Sequence, residues 1–465
     1  MLMILGIVLF VVGLLITVGL HELGHLLPAK KFGVKVPKYF IGFGPTLWSV
    51  HRGGTEYGIK AIPLGGFVQL AGMLAPARAG ARVVKADGTL TIAEQARRDS
   101  AAELEAGEED SAFWRLPARK KLVVMCGGPF VNAALAVVLT VGVMCGIGSG
   151  VYGTTVAYVQ QCITGANTCS AEQYSPAVRA GLLPRDRIVA WGDRSVNTWE
   201  QVQAAIANGG TDPVAVQVVR PAAVKNQTTA AQPAAERAAR ASAEGGSVGV
   251  AGGSETQSSI VTLTVSPVLA ERPLVRGGVV VKDSHGTVRT ELTPYVGISP
   301  QLELRKQPLG VAITQVAKLA VGTIQIVAVL PVKLWDTAAR LFSGAPRDPN
   351  SVVGIVGVAG IAGTITSAQA PGYDFAQRAA DFLMLMASLN MSLFVFNLIP
   401  LLPLDGGHIL GALIEGVRRQ WARWRGWPDT GAFDTARLLP LSYAVIVFFI
   451  AMTILLVVAD VVNPL

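Results

Sequence analysis

Charge is scarce in this chain. Asp, Glu, Lys and Arg make up 15% of its 465 residues against 51% hydrophobic, and mean hydropathy is +0.47. That balance excludes an ordinary soluble enzyme and implies several membrane spans beside a soluble portion. Arg and aromatic residues are not interleaved as they are where proteins grip single strands, so the net charge of +8 is not a nucleic-acid footprint. The basic residues stand beside apolar segments instead, where they set orientation. Residues 1–17 contain no charge at all. The lack of a basic n-region argues against a cleaved signal peptide over 1–27, and cleavage would discard the motif that follows.

About 20 apolar residues cross a bilayer. Residues 1–27, 122–147, 382–410 and 438–460 qualify, which predicts a polytopic α-helical membrane protein of four transmembrane helices. Lys30, Lys31, Lys35 and Lys38 follow the first span, and Arg119, Lys120 and Lys121 precede the second. Arg418, Arg419, Arg423 and Arg425 follow the third, Arg437 precedes the fourth, and residues 148–178 have no Lys or Arg. The positive-inside rule then puts 28–121 and the 411–437 loop in the cytoplasm and 148–380 outside. Spans one and three run the same way, so their C-terminal ends meet at one leaflet.

Each of those ends carries a polar motif. HELGH (21–25) closes the first span and NLIPLLPLDGGH (397–408) the third. Ionisable groups in a span are expensive and mark function. In H-E-x-x-H on a helix, His21 and His25 lie one turn apart on one face and can reach one metal, while Glu22 is placed to accept a proton from an attacking water. A catalytic zinc takes three protein ligands and keeps one position open. Asp405 is the carboxylate at the right leaflet for the third, with His408 as its competitor. His51 and His285 read as ordinary surface or loop residues.

On these motifs the chain resembles the site-2 protease family of intramembrane zinc metalloproteases, over nearly its whole length. HELGH is similar to the family's zinc motif and NLIPLLPLDGG to its N-x-x-P-x(4)-D-G segment. IGFGPTLWS…TEYGIKAIPLGGFVQLAGM (41–73) resembles its re-entrant β-hairpin and GGPFVNAALA (127–136) its second-span signature. The resemblance implies one Zn²⁺ per chain held by His21, His25 and Asp405, with Glu22 as general base. It also implies that Asn397 binds substrate backbone or the oxyanion, with Asn132, Pro400 and Gly406 in support. The implied substrate is a transmembrane helix of a signalling protein such as an anti-sigma factor, already trimmed outside, in a bacterial inner membrane. Asn390 stands seven residues before Asn397, wider than in many members, so no role is assigned to it. A helix hides its peptide groups in its own hydrogen bonds and must unwind before attack. The hairpin within the 28–121 segment, with Gly58, Pro63, Gly65 and Gly66, offers an edge for strand addition if it lies at membrane depth. The alternative is a plain cytoplasmic hairpin. Gly128, Pro129 and Asn132 read first as close helix packing with one interhelical hydrogen bond.

The outer portion, 151–285, resembles a PDZ domain of bacterial membrane and periplasmic proteases, an inserted α+β domain. Ser175, Pro176, Ala180, Gly181, Leu182, Asp186 and Ile188 carry that likeness, and Arg185 stands where the family commonly has Gly. The strand-like 212–220 and 259–267 would close the domain around 221–258, whose Ala/Gly/Ser/Gln/Thr composition predicts a disordered insertion. Cys162 and Cys169 fall on the oxidising side and are expected to form a disulfide; Cys126 and Cys145 read as packing residues. Residues 286–381 read as an extracytoplasmic interfacial segment, because the apolar 319–332 is only fourteen residues long and flanked by charge. The apolar 352–365 is similarly short. If one of these two alone crossed, Asp405 would land on the wrong side; if both crossed, parity would survive. Two other function classes stay open: a PDZ-bearing scaffold or chaperone with a structural metal site, which calls for a fourth protein ligand, and a metal transporter, which calls for ligands spread along a path.

Overall fold

The computed structural model describes residues 1–465 except 78–79, 82, 165–167, 222–258, 274, 277–278, 281–287, 349–350, 370–372, 429–430 and 464–465. Nearly all of the expected 221–258 insertion, and His285, lie outside the described residues. The chain divides into two compact units, Met1–Gly148 with Lys306–Ala368 and Arg378–Leu465, and Ser149–Arg305 with Gln369–Gln377.

The first unit begins with α1 (Leu2–Lys31), which carries HELGH near its C-terminal end. Strands β1 (Lys38–Arg52) and β2 (Thr55–Gln69) follow and pair antiparallel. The hairpin is folded on itself: residues 38–41 pair with 66–69 on one side and with 56–59 on the other. Gly42, Gly44 and Gly65 permit this doubling, since each has positive φ. Helices α2 (Ile92–Ala101) and α3 (Ala118–Val141) come next, and a π-helical turn extends α3 to Ile147. Helices α1 and α3 touch backbone to backbone. A Cβ on Gly24 would stand 2.4 Å from Gly127 O, and one on Gly127 would stand 2.0 Å from Gly24 O. Small residues allow such approach in membrane helices, where no hydrophobic force draws helices together.

The second unit holds β3 (Ser149–Val159), α4 (Pro176–Ala180), β4 (Arg187–Trp191), β5 (Arg194–Ser195), α5 (Trp199–Gly209), β6 (Val214–Arg220), β7 (Ser259–Val265), β8 (Val268–Pro273), β9 (Val275–Arg276), β10 (Val279–Val280), β11 (Thr290–Tyr295) and β12 (Ile298–Arg305). Its main sheet runs β12-β3-β4-β6-β7, with β5 on β4. The two strand-like stretches on either side of the insertion pair directly, Val214 opposite Val265 through Arg220 opposite Ser259. Alternate residues Val216, Val218, Leu263 and Val265 enter a core with Ile188, Trp191, Val202 and Leu182. Ser175 caps α4 by accepting from Val178 N–H, and Gly181 closes it in the left-handed conformation. Arg185 adopts φ 73°, so the turn that favours Gly is kept rather than remodelled. Asp186 is fully buried and takes two hydrogen bonds from Arg220, at 2.8 and 2.6 Å. Cys162 and Cys169 are disulfide-bonded, while Cys126 and Cys145 are free and half-buried.

Returning to the first unit, the chain forms α6 (Leu309–Ser343), α7 (Ile355–Ser367), α8 (Phe375–Asn397), α9 (Asp405–Arg425) and α10 (Leu439–Val462). Three departures from the sequence reading appear here. First, 319–332 is not an isolated short segment: α6 runs unbroken for 35 residues through Lys318, Pro331 and Lys333. The flanking charges bound its most apolar window without ending the helix. Among the described residues five helices, where the sequence reading expects four, are long and apolar enough to cross a membrane: Leu2–Lys31, Ala118–Ile147, Leu309–Ser343, Phe375–Asn397 and Thr435–Val462. Second, 382–410 is two helices broken by a turn over 398–404. Third, much of 411–437 is helix α9 rather than loop. The 13-residue α7 packs antiparallel along the start of α1, with Thr366 Oγ1 donating to Leu2 O at 3.0 Å and Ala362 meeting Phe10 in one cluster.

Candidate metal centre

The close crossing of α1 and α3 decides what stands opposite the histidines. A Cβ on Gly128 would lie 2.2 Å from His25 Nε2 and 2.8 Å from His21 Nε2. The bare glycine is thus the floor on which both imidazoles sit, a duty beyond the packing expected of it. His25 is buried, and its Nδ1 donates to Val124 O at 2.8 Å. A carbonyl only accepts, so the ring carries its proton on Nδ1 and keeps an Nε2 lone pair for a ligand. His21 Nδ1 lies 3.1 Å from the side-chain amide of Asn132, which is fully buried. Asn132 Oδ1 has no hydrogen-bond partner. With that amide turned by half a turn, Oδ1 accepts from His21 Nδ1–H and Nε2 is freed in the same way.

Asp405 arrives from the other end of the chain. It is the first residue of α9, and the preceding turn packs onto two glycines. A Cβ on Gly406 would meet Ile399 O at 2.1 Å, and one on Gly407 would meet Leu402 N at 2.6 Å. His21 Nε2, His25 Nε2 and Asp405 Oδ2 then form a near-equilateral triangle: 3.3 Å between the imidazoles, 3.4 Å from His21 to Asp405 and 3.3 Å from His25 to Asp405. Two ligands bonded to zinc at about 2.0–2.1 Å with tetrahedral angles stand about 3.3 Å apart. Asp405 Oδ2 is buried without a hydrogen-bond partner of its own, as an atom reserved for a cation would be. Among the described residues these three form the one group of His, Cys, Asp and Glu side chains that converges so closely. Three donors leave a tetrahedral position free, so the residues present fit zinc.

Around the triangle the other expected residues are less uniform. The backbone amide of Val68 in β2 faces the Glu22 carboxyl, and a Cβ on Gly66 would stand 3.3 Å from its Cγ. The 66–69 segment, which pairs with 38–41 alone, thus runs directly over Glu22. His408 stands outside the donor group and lines a groove with Phe67, Val68 and Leu402. Asn397 ends α8, half-buried and without a side-chain hydrogen bond among the described residues, and Pro400 is exposed in the turn. Asn390, given no role, is buried and donates to Thr17 Oγ1 at 3.2 Å, tying α8 to α1 one turn above the motif.

The sequence reading missed one contact altogether. Lys121 at the start of α3 donates to Glu415 of α9 at 2.7 Å, and both side chains are buried. Arg419 and the Phe433 N–H also reach Glu415. Removing one member of a buried pair costs about 3–5 kcal/mol, so this ion pair fixes the helix bearing Asp405 against the helix bearing Gly128. No local signal marks it, because its members are 294 residues apart.

The model of peptidase family M50 matches residues 9–426. The chain belongs to peptidase family M50. It is 30% identical to the zinc metalloprotease Rip1 of Mycobacterium tuberculosis over 100% of this chain and 99% of that one. Against Rip1 of Mycolicibacterium smegmatis it is 29% identical over 99% and 98% of the two chains. Metalloprotease MmpA of Caulobacter vibrioides is 25% identical over 89% of this chain and 86% of its own. This M50 peptidase is a zinc metalloendopeptidase of the site-2 protease type and a multi-pass membrane protein.

Proposed function

We propose that this M50 peptidase cleaves a transmembrane helix of a signalling protein, such as an anti-sigma factor, inside a bacterial cell membrane. His21, His25 and Asp405 hold one zinc ion, and the carrying observation is their triangle of 3.3–3.4 Å. Bound there, zinc supplies a Lewis acid for the scissile carbonyl and lowers the pKa of water. Glu22 takes the proton of the attacking water and returns it to the leaving amine. The free edge of β2 over 66–69 receives the unwound substrate as an added strand, which places its peptide plane beside Glu22. Asn397, at the end of α8, serves substrate backbone or the oxyanion.

Clusters of Lys and Arg at the zinc-bearing ends of α1 and α3, and toward the far end of α9, support an inner-leaflet position for the site. With α6 long enough to span and α7 lying antiparallel to the start of α1, we take both to enter the membrane, which preserves the parity Asp405 needs. The second unit then lies outside, where its PDZ-like elements filter or dock substrates, and its disulfide suits that compartment.

A reporter transmembrane helix cleaved by the reconstituted protein tests the central reading. Cleavage should disappear with a chelator and return with zinc. Cleavage indifferent to the chelator would overturn the zinc-dependent mechanism, and no cleavage at all would leave the scaffold reading standing. Asn132→Leu is expected to lower zinc affinity about 10–100-fold, the usual effect of removing a group that orients a ligand. Metal titration measures this, and an unchanged affinity would reduce Asn132 to helix packing.

A further inference from the structure

Helix α9 has two faces of opposite character. One packs inward through Gly406, Gly407, Gly411, Ala412, Glu415 and Ala422. The other presents Leu410, Leu413, Val417, Trp421 and Trp424, each 40–77% exposed, and Trp427 follows just beyond the helix. Their spacing of three or four residues makes one continuous apolar stripe. Three of the chain's eight tryptophans fall within seven residues here.

Cations line the same end. Arg425 stands 4.9 Å from the Trp421 ring centroid and 5.4 Å from that of Trp427, held between two indoles. Trp421 and Trp424 meet edge to face at 5.7 Å. Arg423 and Arg425 are exposed and Arg418 is half-buried, and none of the three has a carboxylate partner among the described residues. Arg419, by contrast, is paired with Glu415. Beside the stripe lies a groove over Gly416, walled by Val417, Gln420, Trp421 and Trp424.

We propose that this face lies along the cytoplasmic leaflet and binds the headgroup of an anionic phospholipid. Tryptophan favours the headgroup level and unpaired arginine a phosphate, and basic helices with an apolar face lie in the interface plane. Length supports the same placement. At 1.5 Å per residue Trp421 is about 24 Å from Asp405. A helix leaving the membrane upright would carry all three indoles into water. Lying along the leaflet, α9 is held at both ends, by the metal triangle and by lipid, so lipid charge bears on where Asp405 sits. The assignment rests on the inner-leaflet orientation proposed above, but its readout is independent of peptide cleavage.

The test uses the full-length protein in nanodiscs of zwitterionic lipid, with a fraction of either brominated phosphatidylglycerol or brominated phosphatidylcholine. Tryptophan quenching is compared with that of a variant carrying Trp421→Phe, Trp424→Phe and Trp427→Phe, which removes the signal of the other five indoles. Brominated phosphatidylglycerol should quench the difference signal at severalfold lower mole fraction. Each of Arg418→Gln, Arg423→Gln and Arg425→Gln should reduce that preference, by up to about fivefold apiece. Equal quenching by both lipids would overturn the headgroup assignment. Quenching by neither would overturn the membrane placement as well. Cross-linking between copies through a Trp424→Cys variant would give the face to a second copy of the chain.

Discussion

Glu22→Gln is expected to retain one zinc per chain while losing cleavage of a reporter transmembrane helix by about 10²–10⁴-fold, the range that a positioned general base contributes. The substitution is nearly isosteric, so the strand over the site keeps its place. What the amide cannot do is take a proton from water. Metal content separates the outcomes. His21, His25 and Asp405 offer donor atoms all within 4.8 Å of one another and Glu22 is not of that group, so zinc should stay bound. Loss of zinc with Glu22→Gln would make Glu22 a ligand, and retained cleavage would remove it as the base. Glu22→Asp withdraws the carboxylate by one methylene without changing its chemistry, and should fall between the parent and the glutamine variant.

The parts of this site that sequence makes legible are those written into short spacings or into charge. The four-residue step from His21 to His25 places both rings on one helical face whatever the tertiary fold. Asp405 could be paired with them at a distance of 380 residues because positive charges beside the spans orient both helix ends toward one leaflet. The full length of helix α6 is not legible because hydropathy marks where a segment is most apolar, not where its hydrogen bonding stops. The helical part of the expected 411–437 loop is hidden for a related reason: its stripe alternates with arginines, so no long apolar run announces it. Gly128 lies further out of reach. That it is small can be read, but that its missing side chain is filled by two imidazoles depends on the rotation of α3 about its axis. The Lys121–Glu415 pair is of the same kind.

Gly128→Ala should therefore act as a metal-site mutation although it changes no donor. The new methyl would stand 2.2 Å from His25 Nε2 and 2.7 Å from His21 Cε1, closer than non-bonded atoms come. Neither ring can swing away and still ligate, since His25 is tethered to Val124 O and zinc tolerates ligand distances only within about 0.2 Å. Nor can the helices yield, because Gly24 and Gly127 already bring α1 and α3 into backbone contact; relief would require them to part. The expected result is zinc affinity weaker by about a hundredfold or more, the scale of effect seen when a ligand's supporting contacts are lost, with reporter cleavage falling in parallel. Gly142→Ala is the control, being a helical glycine of the same span at which an added Cβ meets nothing within 4 Å. Thermal unfolding of both purified variants separates a misplaced donor from a collapsed bundle: Gly128→Ala should melt close to the parent stripped of its metal, and Gly142→Ala close to the loaded parent. Full zinc occupancy and full cleavage in Gly128→Ala would mean that the imidazoles do not rest against α3 in the active enzyme, and the triangle drawn from their present positions would have to be redrawn.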